Sequence, residues 1–398
     1  MILGIDASRA NVTEKTGVEW YAGRIIQELK TIIPSTVRVI LYSREPLTGA
    51  LAHVPPNWES RIIKTPFNRL WTQWGLSWEM WRRPPDALFI PAHVIPLVHP
   101  PTVMTVHDIA STRHPEAYSF FQRWYHTWST RFALKHAVKL ITPSRFTAQE
   151  VQDVFGHISR GAYARKIHVI HLGADASNGN HQEATLSVKV PEDPYIVHIG
   201  RLERKKGTLD LIRAFEIVKE DATYQTLKLV LIGRSGLGSE EIDGAIAASP
   251  YASDIYRLGW LPEPEKLRLL RRAHLFVFPS HYEGFGIPLL EAAAAGVPVV
   301  ARRAGSLVEI ASPELVRWFD ESDELPIVLK EALRDAAWHV FVRQEGPRHA
   351  TRFSWRTAAI VIPSGDMRAS PWAISTSFSI RPRRSAAAAA SSRAWKPS

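Results

Sequence analysis

At 398 residues the chain exceeds the roughly 250–300 residues at which a single hydrophobic core stops growing, so we expect about two domains. Hydrophobic residues make up 45% of the chain, enough for both cores, and the absence of cysteine excludes disulfides, thiolate nucleophiles and cysteine metal sites. The formal net charge is +10, but residues 343–398 carry ten Lys and Arg against two acidic residues, so the rest is nearly neutral and we expect no nucleic-acid partner.

Short apolar runs recur along the first half and predict the strands of one domain. The runs are MILGID, VRVILY, ALFIPAH, TVMTVHD, VKLITPS and IHVIHLG. They are continuous rather than alternating, which is typical of strands covered on both faces, and the helix-length segments between them favour the crossovers of a parallel sheet. No run approaches the roughly 18 apolar residues of a membrane span, so the sequence predicts a cytoplasmic protein.

The same pattern starts again after a polar break at residues 174–194. Its apolar runs are YIVHIG, LKLVLIG, DIYRLGW, LFVFPS and VPVVAR, separated by segments of helical spacing. We therefore predict an α/β fold with two Rossmann-like domains, residues 1–178 and 190–357, and a site in the cleft between them. A dinucleotide enzyme is disfavoured, because neither GIDASRANVTEKTG nor LIGRSGLGS has the glycine spacing of a dinucleotide fingerprint.

The segment HYEGFGIPLLEAAAAGVPVV, residues 281–300, sets two glutamates around a glycine-rich turn. The apolar run before it predicts a strand, Pro288 suits the first turn of a helix, and Gly296 suits its end. Glu283 is therefore expected in the loop before the helix. Glu291 is expected about one turn inside it.

The turn between these glutamates predicts an anion site. Its glycines let the backbone approach a ligand closely, and the N–H groups of Phe285, Gly286 and Ile287 can point at an anion at the helix N-terminus. Carboxylates repel phosphate but accept hydrogen bonds from vicinal hydroxyls. Glu283 and Glu291 thus suit a ligand with hydroxyl groups on both sides of a phosphate, which is the layout of a sugar nucleotide.

The complementary cations stand in HIGRLERKKG, after the first predicted strand of the second domain. Arg201 and Lys206 are expected at the carboxyl end of that strand, where a guanidinium fork and an ammonium can hold a pyrophosphate. The same charges would stabilise a departing nucleoside diphosphate.

GRLERKKG and SHYEGFGIPLLEAAAAGVPVVA together resemble the signature of the retaining glycosyltransferase family 4, and the resemblance extends over roughly residues 1–357. It implies the GT-B fold, which pairs two Rossmann-like domains across a cleft. It also implies that Arg201 and Lys206 bind the diphosphate, that Glu283 contacts hydroxyls of the donor sugar, and that Glu291 binds the ribose.

In the amino-terminal domain the resemblance implies two further site residues. Gly17 in KTGVEWYAGRII is similar to the family's glycine beside the donor phosphate, and His107 in TVHDIASTRHPEAYS is similar to its cleft histidine near the transferred sugar. His93 in FIPAHVIPL is a candidate on the acceptor side. Each predicted site residue also has a structural alternative: packing or capping for the histidines, an ordinary turn for Gly17, and solvated surface charge for the cations and glutamates.

The resemblance implies transfer of a hexose, mannose or glucose, from a GDP- or UDP-linked donor to a glycan or lipid-linked acceptor, as in bacterial polysaccharide assembly. If hydroxyl groups occupy Glu283 and Glu291, no obvious carboxylate remains as a nucleophile, and the family's same-face attack with retention is expected. No Asp-x-Asp stands in a metal-binding context and two cations offset the diphosphate, so we expect no metal ion and no other cofactor.

Two other functions suit the same features. A nucleotide-sugar epimerase of the GT-B fold would keep the nucleotide site but release an isomerised sugar. A catalytically impaired protein would bind the nucleotide sugar without turnover, because an altered carboxyl-terminal end would weaken the attachment of the two domains.

The second alternative arises from the predicted tail, residues 358–398, which is basic, rich in Ser, Ala and Pro, and without helical or strand period. In the resembling family the last helix crosses back onto the amino-terminal domain, and RFSWRTAA is similar to its beginning. The composition beyond it suits either a flexible tail or a shifted reading frame near residues 357–362.

The segment RLWTQWGLSWEMWRRPP carries a tryptophan stripe at helical spacing: Trp71, Trp74, Trp78 and Trp81. Such a stripe packs in the core or lies at a membrane interface near a lipid-linked acceptor, and RWYHTWSTRFALKHAVK has the same two explanations. Peripheral contact with the inner face of the plasma membrane is therefore a hypothesis.

Overall fold

The computed structural model describes residues 1–66, 70–92, 94–156, 164–174, 187–188 and 190–364. Within these ranges the chain forms two sheets, one in each half, and every strand pair is parallel. The α/β fold class with two Rossmann-like halves is confirmed.

The first sheet comprises β1 (Ile2–Asp6), β2 (Arg38–Ser43), β3 (Trp58–Ile62), β4 (Ala87–Ile90), β5 (Thr102–Thr105), β6 (Lys139–Thr142) and β7 (Ile167–Val169). The helices of this half are α1 (Gly17–Ile32), α2 (Ser77–Arg82), α3 (Ala110–Arg113), α4 (Phe120–His136) and α5 (Arg145–Phe155). The strand order is β3-β2-β1-β4-β5-β6-β7. Leu3 of β1 pairs with Val39 on one side and with Ala87 on the other, so the order reverses between β1 and β4.

The second sheet comprises β8 (Tyr195–Ile199), β9 (Lys228–Ile232), β10 (Ile255–Gly259), β11 (Leu275–Phe278), β12 (Val299–Arg302) and β13 (Val316–Phe319), in the order β10-β9-β8-β11-β12-β13. Its helices are α6 (Thr208–Lys219), α7 (Ser239–Ala248), α8 (Glu263–Arg272), α9 (Ile287–Ala294), α10 (Leu307–Ile310), α11 (Leu325–Arg334), α12 (Ala336–Ala350) and α13 (Trp355–Ser364). This order reverses between β8 and β11. Ligands of open parallel sheets bind outside the carboxyl ends of strands at such reversals.

The sequence pattern did not predict β3 and β13, which are the outer strands on one side of each sheet. An outer strand is covered less completely, so its sequence need not be continuously apolar. Glu59 and Arg61 interrupt β3, and Arg317 interrupts β13. The domain boundaries were predicted at residues 178 and 190. Between them the structure describes only residues 187 and 188, so these boundaries stay predictions.

The two halves share one apolar cluster. It joins the core of the first half, including Ile25 of α1, to Phe285 before α9, Leu290 on α9 and Ile310 on α10. All four side chains are nearly inaccessible to solvent. The walls of the cleft are therefore attached to each other by buried apolar surface, the largest favourable contribution to folding and association.

Helix α13 returns to the amino-terminal half and completes that cluster. Ala358, Ala359 and Ile362 are buried in it. A Cβ atom at Gly173 would lie 2.3 Å from the backbone nitrogen of Trp355, so the backbones meet closely where α13 begins. Helix α13 thus includes the first seven residues of the predicted tail, 358–364, and the side chains buried at 358, 359 and 362 recur at helical spacing. The remainder of that tail lies outside the described residues.

A polar contact reinforces the attachment. The carboxylate of Glu309 accepts hydrogen bonds from the backbone N–H groups of Arg145 (2.9 Å) and Phe146 (3.1 Å) at the start of α5, and lies 2.8 Å from His171 Nε2. Burial raises the pKa of Glu309, but these hydrogen bonds outweigh it and leave the pKa lowered. A carboxylate of the second half therefore caps a helix of the first.

Replacing Ala359 by arginine should destabilise the protein by about 3 kcal/mol or more, because it sets an unpaired charge at a fully buried position of α13. Val361→Arg is the matched control, since the same charge is added on the same helix at a side chain that is 39% exposed. We expect a clearly lower midpoint of denaturant unfolding for the first variant and little change for the second. Equal midpoints would contradict the packing of α13.

Candidate active site

A cleft of about 690 Å³ lies between the halves, at the carboxyl ends of both sheets. The predicted site residues in the described ranges all line it: Gly17, His107, Arg201, Lys206, Glu283, Phe285, Gly286, Ile287 and Glu291. They come from four separate parts of the chain. His93 lies outside the described residues.

The glycine-rich turn between β11 and α9 is confined by both halves. A Cβ atom at Gly284 would lie 2.1 Å from the backbone oxygen of His107, and one at Gly286, whose φ is +99°, would lie 2.4 Å from Leu307. The hydroxyls of Ser144 (2.7 Å) and Thr147 (3.0 Å) donate to the carbonyl oxygen of Gly284. Only glycine allows this approach, so the turn is held against the amino-terminal half.

Glu283 and Lys206 form a close ion pair. Lys206 Nζ lies 2.6 Å from Glu283 Oε1, and the two side chains are only 17% and 11% exposed. Lys206 stands in the turn after β8 and Glu283 in the loop after β11, and these strands are neighbours in the sheet. The order reversal at β8 and β11 thus brings together two groups that are 77 residues apart in sequence.

Glu291 has a different cationic partner, which the sequence did not predict. Lys266 Nζ lies 3.0 Å and 2.9 Å from the two carboxylate oxygens of Glu291, and 2.8 Å from Oε2 of Glu263. Burial lowers the pKa of Lys266, but the two carboxylates outweigh burial and leave that pKa raised. The lysine therefore stays charged and fixes the position of Glu291.

Arg201 is the more exposed predicted cation, at 49%, and lies 3.9 Å from Glu203. Two further cations line the same part of the cleft. Lys205 donates to the Tyr118 hydroxyl at 2.8 Å, and Arg234 pairs with Glu14 of the amino-terminal half. The second half thus presents a group of cations to the cleft, as binding of a diphosphate requires.

Gly17 and His107 form the opposite wall. Gly17 is the first residue of α1, and a Cβ atom there would meet nothing within 4 Å, so this helix start is open towards the cleft. The buried His107 ring donates from Nε2 to the carbonyl oxygen of Pro91 at 2.9 Å and meets the Tyr21 ring edge-on. Burial lowers the pKa of His107, so the imidazole is neutral at pH 7.

The cleft continues beyond these residues to the ends of β1 and β2, where Asp6, Arg9 and Arg44 line it. Burial raises the pKa of Asp6, and its carboxylate accepts the backbone N–H of Ser8 at 2.9 Å. The sequence pattern did not single out these residues, because each follows an ordinary strand without a motif. In the described part of the chain, no group of three or more His, Asp or Glu could hold a metal ion.

The tryptophan stripe divides between core and surface. Trp71 is 1% exposed, whereas Trp74, Trp78 and Trp81 are between 60% and 68% exposed. On α4, Phe120, Phe121 and Trp124 are also exposed. We call the six exposed rings, which exclude Trp71, the aromatic surface. Tyr125 of α4 donates to Gln73 at 2.8 Å, which joins the two segments. Within the described ranges, no helix combines the length and apolar character needed to cross a bilayer.

Two family descriptions match the sequence. Residues 16–178 match Glycosyltransferase Family 4, and residues 183–341 match Glycosyl transferases group 1. The chain is 27% identical to O-antigen chain mannosyltransferase B of Escherichia coli, over 64% of this chain and 66% of that protein. It is 32% identical to D-inositol 3-phosphate glycosyltransferase of Corynebacterium jeikeium, over 54% of each. The chain thus spans less than two thirds of the length of each relative.

Solved structures share the fold. Sucrose-phosphate synthase from Thermosynechococcus elongatus superposes with a TM-score of 0.71 at 16% identity, over 91% of this chain and 97% of that chain. Anabaena Alr3699/HepE, solved with UDP and glucose, superposes with a TM-score of 0.68 at 19% identity, over the same shares. With the two family matches, which lie one on each half, these findings establish that the chain belongs to the family 4 glycosyltransferases of the GT-B fold.

Proposed function

We propose that the chain is a retaining glycosyltransferase that moves a hexose, mannose or glucose, from a GDP- or UDP-linked donor to a hydroxyl of a glycan or lipid-linked acceptor. The observation that carries the proposal is the meeting of Arg201, Lys206, Glu283 and Glu291 in one cleft, around a helix start that can accept a phosphate. The names of two relatives, O-antigen chain mannosyltransferase B and serotype-specific mannosyltransferase WbdA, favour mannose. The HepE structures contain UDP-glucose and UDP, so guanine and uracil both stay candidates for the base of the donor.

Each group has a distinct role in the proposed donor complex. Arg201 and Lys206 bind the diphosphate, together with the N–H groups of the turn before α9. Glu283 accepts hydrogen bonds from the sugar hydroxyls. Glu291, positioned by Lys266, accepts them from the ribose.

Transfer then needs no protein nucleophile. The acceptor oxygen attacks the anomeric carbon on the face that the diphosphate leaves, the bond from that carbon to the diphosphate oxygen breaks, and the acceptor proton passes to the departing diphosphate. Arg201 and Lys206 stabilise the charge that develops on it. Neutral His107 lies on the opposite wall, where it contacts the transferred sugar.

The two alternatives predict different products. An epimerase would release a free isomerised sugar, whereas a transferase forms a glycoside. An impaired binding protein would lack the attachment of its halves, and the packing of α13 and the Glu309 contacts weigh against that reading. We therefore retain transfer as the function.

We further propose that the aromatic surface contacts an anionic membrane at its inner face. Its rings are exposed on two joined segments, and Arg82 and Arg83 follow them at the end of α2. Tryptophan rings favour the membrane interface, and arginines there attract anionic lipids. Gln122 and Tyr125 of α4 line the cleft, so this contact would bring a lipid-linked acceptor to the open end of the site.

The donor site predicts a specific pattern of ligand affinities, measured by thermal shift with GDP, UDP and ADP and with their hexose conjugates. Arg201→Ala should lose stabilisation by both the diphosphate and the conjugate. Glu283→Gln should weaken only the conjugate, by roughly tenfold or more, because a hydrogen bond to a charged group contributes about 1.5–3 kcal/mol. Glu291→Gln should weaken both ligands equally.

Arg213→Ala is the control for these variants, since Arg213 is an exposed arginine of α6 outside the cleft. It should bind all ligands as the unchanged protein does. Equal losses of diphosphate and conjugate in Glu283→Gln would contradict its assignment to the sugar. No stabilisation of the unchanged protein by any of the nucleotides would contradict the proposed function.

The stereochemistry and the metal requirement are testable in one assay. Proton NMR of the product formed with the preferred donor should show the anomeric configuration of the donor sugar. Turnover should persist in excess EDTA, because arginine and lysine offset the diphosphate charge. A product with inverted anomeric configuration would contradict the retaining mechanism. Activity that EDTA abolishes and Mg²⁺ restores would contradict independence from a metal ion.

The membrane proposal predicts co-sedimentation with vesicles that contain phosphatidylglycerol, and weaker binding to pure phosphatidylcholine. Replacing both Trp78 and Trp81 by serine should reduce the bound fraction severalfold, since it removes two rings from the interface. Ile327→Ser changes a side chain of α11 that is also exposed but lies in the other half, and should bind normally. Equal binding of both variants would refute the assignment of this surface.

A further inference from the structure

The part of the cleft beyond the proposed donor site has its own cationic groups. Arg9 follows β1 and Arg44 follows β2, and these strands are neighbours in the sheet, so both side chains reach the same carboxyl edge. Both side chains line the cleft, and neither belongs to the sequence motifs that are proposed to bind the donor. The donor proposal leaves both arginines without a role.

Arg44 is held in place by an aromatic ring. Its guanidinium lies over the Trp71 ring, 5.4 Å from the centroid, and this packing fixes the direction of the side chain. Its Nε is buried, and within the described ranges it has no hydrogen-bond partner. In the same ranges no carboxylate oxygen lies within 4.0 Å of Arg44, although most arginines near the cleft are paired. A buried N–H group without an acceptor costs free energy. A ligand that accepts a hydrogen bond from Arg44 Nε would remove this cost.

The nearby carboxylates are used within the fold. Asp6 accepts the Ser8 N–H, Glu19 accepts the Thr16 N–H at 3.1 Å, and Asp108 accepts the Ala110 N–H at 2.9 Å. Glu19 also forms an ion pair with Arg9, at 3.4 Å, whereas Arg44 forms none in the described ranges. Asp6 and Glu45 act on Arg44 electrostatically without forming an ion pair with it in the part of the chain that the structure describes. Asp6, Glu19 and Asp108 are thus held by backbone N–H groups, and the guanidinium of Arg44 is left to bind a ligand.

We propose that Arg44, with Arg9, binds a phosphoryl group of the acceptor. This inference rests on the proposed function, which makes the remaining part of the cleft the acceptor side. The guanidinium forks match phosphate oxygens, and two of them suit a doubly charged group. Such a group is present both in a soluble hexose phosphate and in a lipid pyrophosphoryl hexose. The shared chemistry is a phosphoryl group close to the sugar that carries the attacking hydroxyl.

The test measures binding by calorimetry, with the full chain and a saturating nucleoside diphosphate in every sample. The probes are mannose, mannose 6-phosphate and a mannosyl pyrophosphate with a short citronellyl chain. We expect at least one phosphorylated probe to bind about tenfold or more tightly than mannose. Preference for the first or the second phosphorylated probe identifies the source of the phosphoryl group.

Arg44→Gln should abolish that preference and leave affinity for the nucleoside diphosphate unchanged, and Arg44→Lys should restore part of it because it keeps the charge. Arg38→Gln is the matched control, since Arg38 begins the strand that Arg44 follows and lies at the opposite sheet edge. A mannose affinity equal to that of both phosphorylated probes, or an unchanged preference in Arg44→Gln, would overturn the inference. If the unchanged protein does not bind the nucleoside diphosphate, the proposed function itself is contradicted. Failure of the acceptor inference can thus be told apart from failure of the proposed function.

Discussion

The site depends on one close approach of two backbones. The turn after β11 comes so near to the strand end at His107 that a single methyl group at Gly284 would overlap a carbonyl oxygen. Because the contact joins main chain to main chain, no side-chain rearrangement can relieve it. Glu283, the start of α9 and the wall that contains His107 therefore keep a common position. The hydroxyls of Ser144 and Thr147 satisfy the carbonyl group that this approach buries.

Around this contact the charges are arranged in pairs. Each glutamate of the turn has its own lysine, Lys206 for Glu283 and Lys266 for Glu291, although neither pair is local in sequence. Pairing lets two carboxylates stand beside the helix start that is proposed to bind phosphate, at little electrostatic cost. The two lysines belong to different parts of the fold, because Lys206 follows β8 and Lys266 lies on α8. Each carboxylate is therefore held in position independently of the other. Arg44 is the contrasting case, a cation fixed by an aromatic ring and directed at the cleft.

The sequence predicted most of the strands and missed two of the outer ones. Continuous apolar runs located the strands that are covered on both faces, but Glu59 and Arg317 broke that pattern in the outer strands β3 and β13. Motif residues of the cleft were found because glycine and proline restrict the backbone around them. Lys266 and Arg44 were not, because their roles arise only from contacts between distant segments. Helical spacing of the tryptophans could not show that Trp71 faces the core while the others face solvent.

The return of α13 has a consequence for the order of folding. The amino-terminal half buries side chains of residues 350–362 in its own core, yet these are among the last described residues to leave the ribosome. Its sheet can form earlier, but the apolar face of α1 stays uncovered until the second half has been made. Domains generally fold as units during synthesis, and exposed apolar surface in such intermediates favours aggregation. The first half of this chain therefore stays incompletely folded while the second half is synthesised. Its folding is completed only by α13, which follows the whole second sheet.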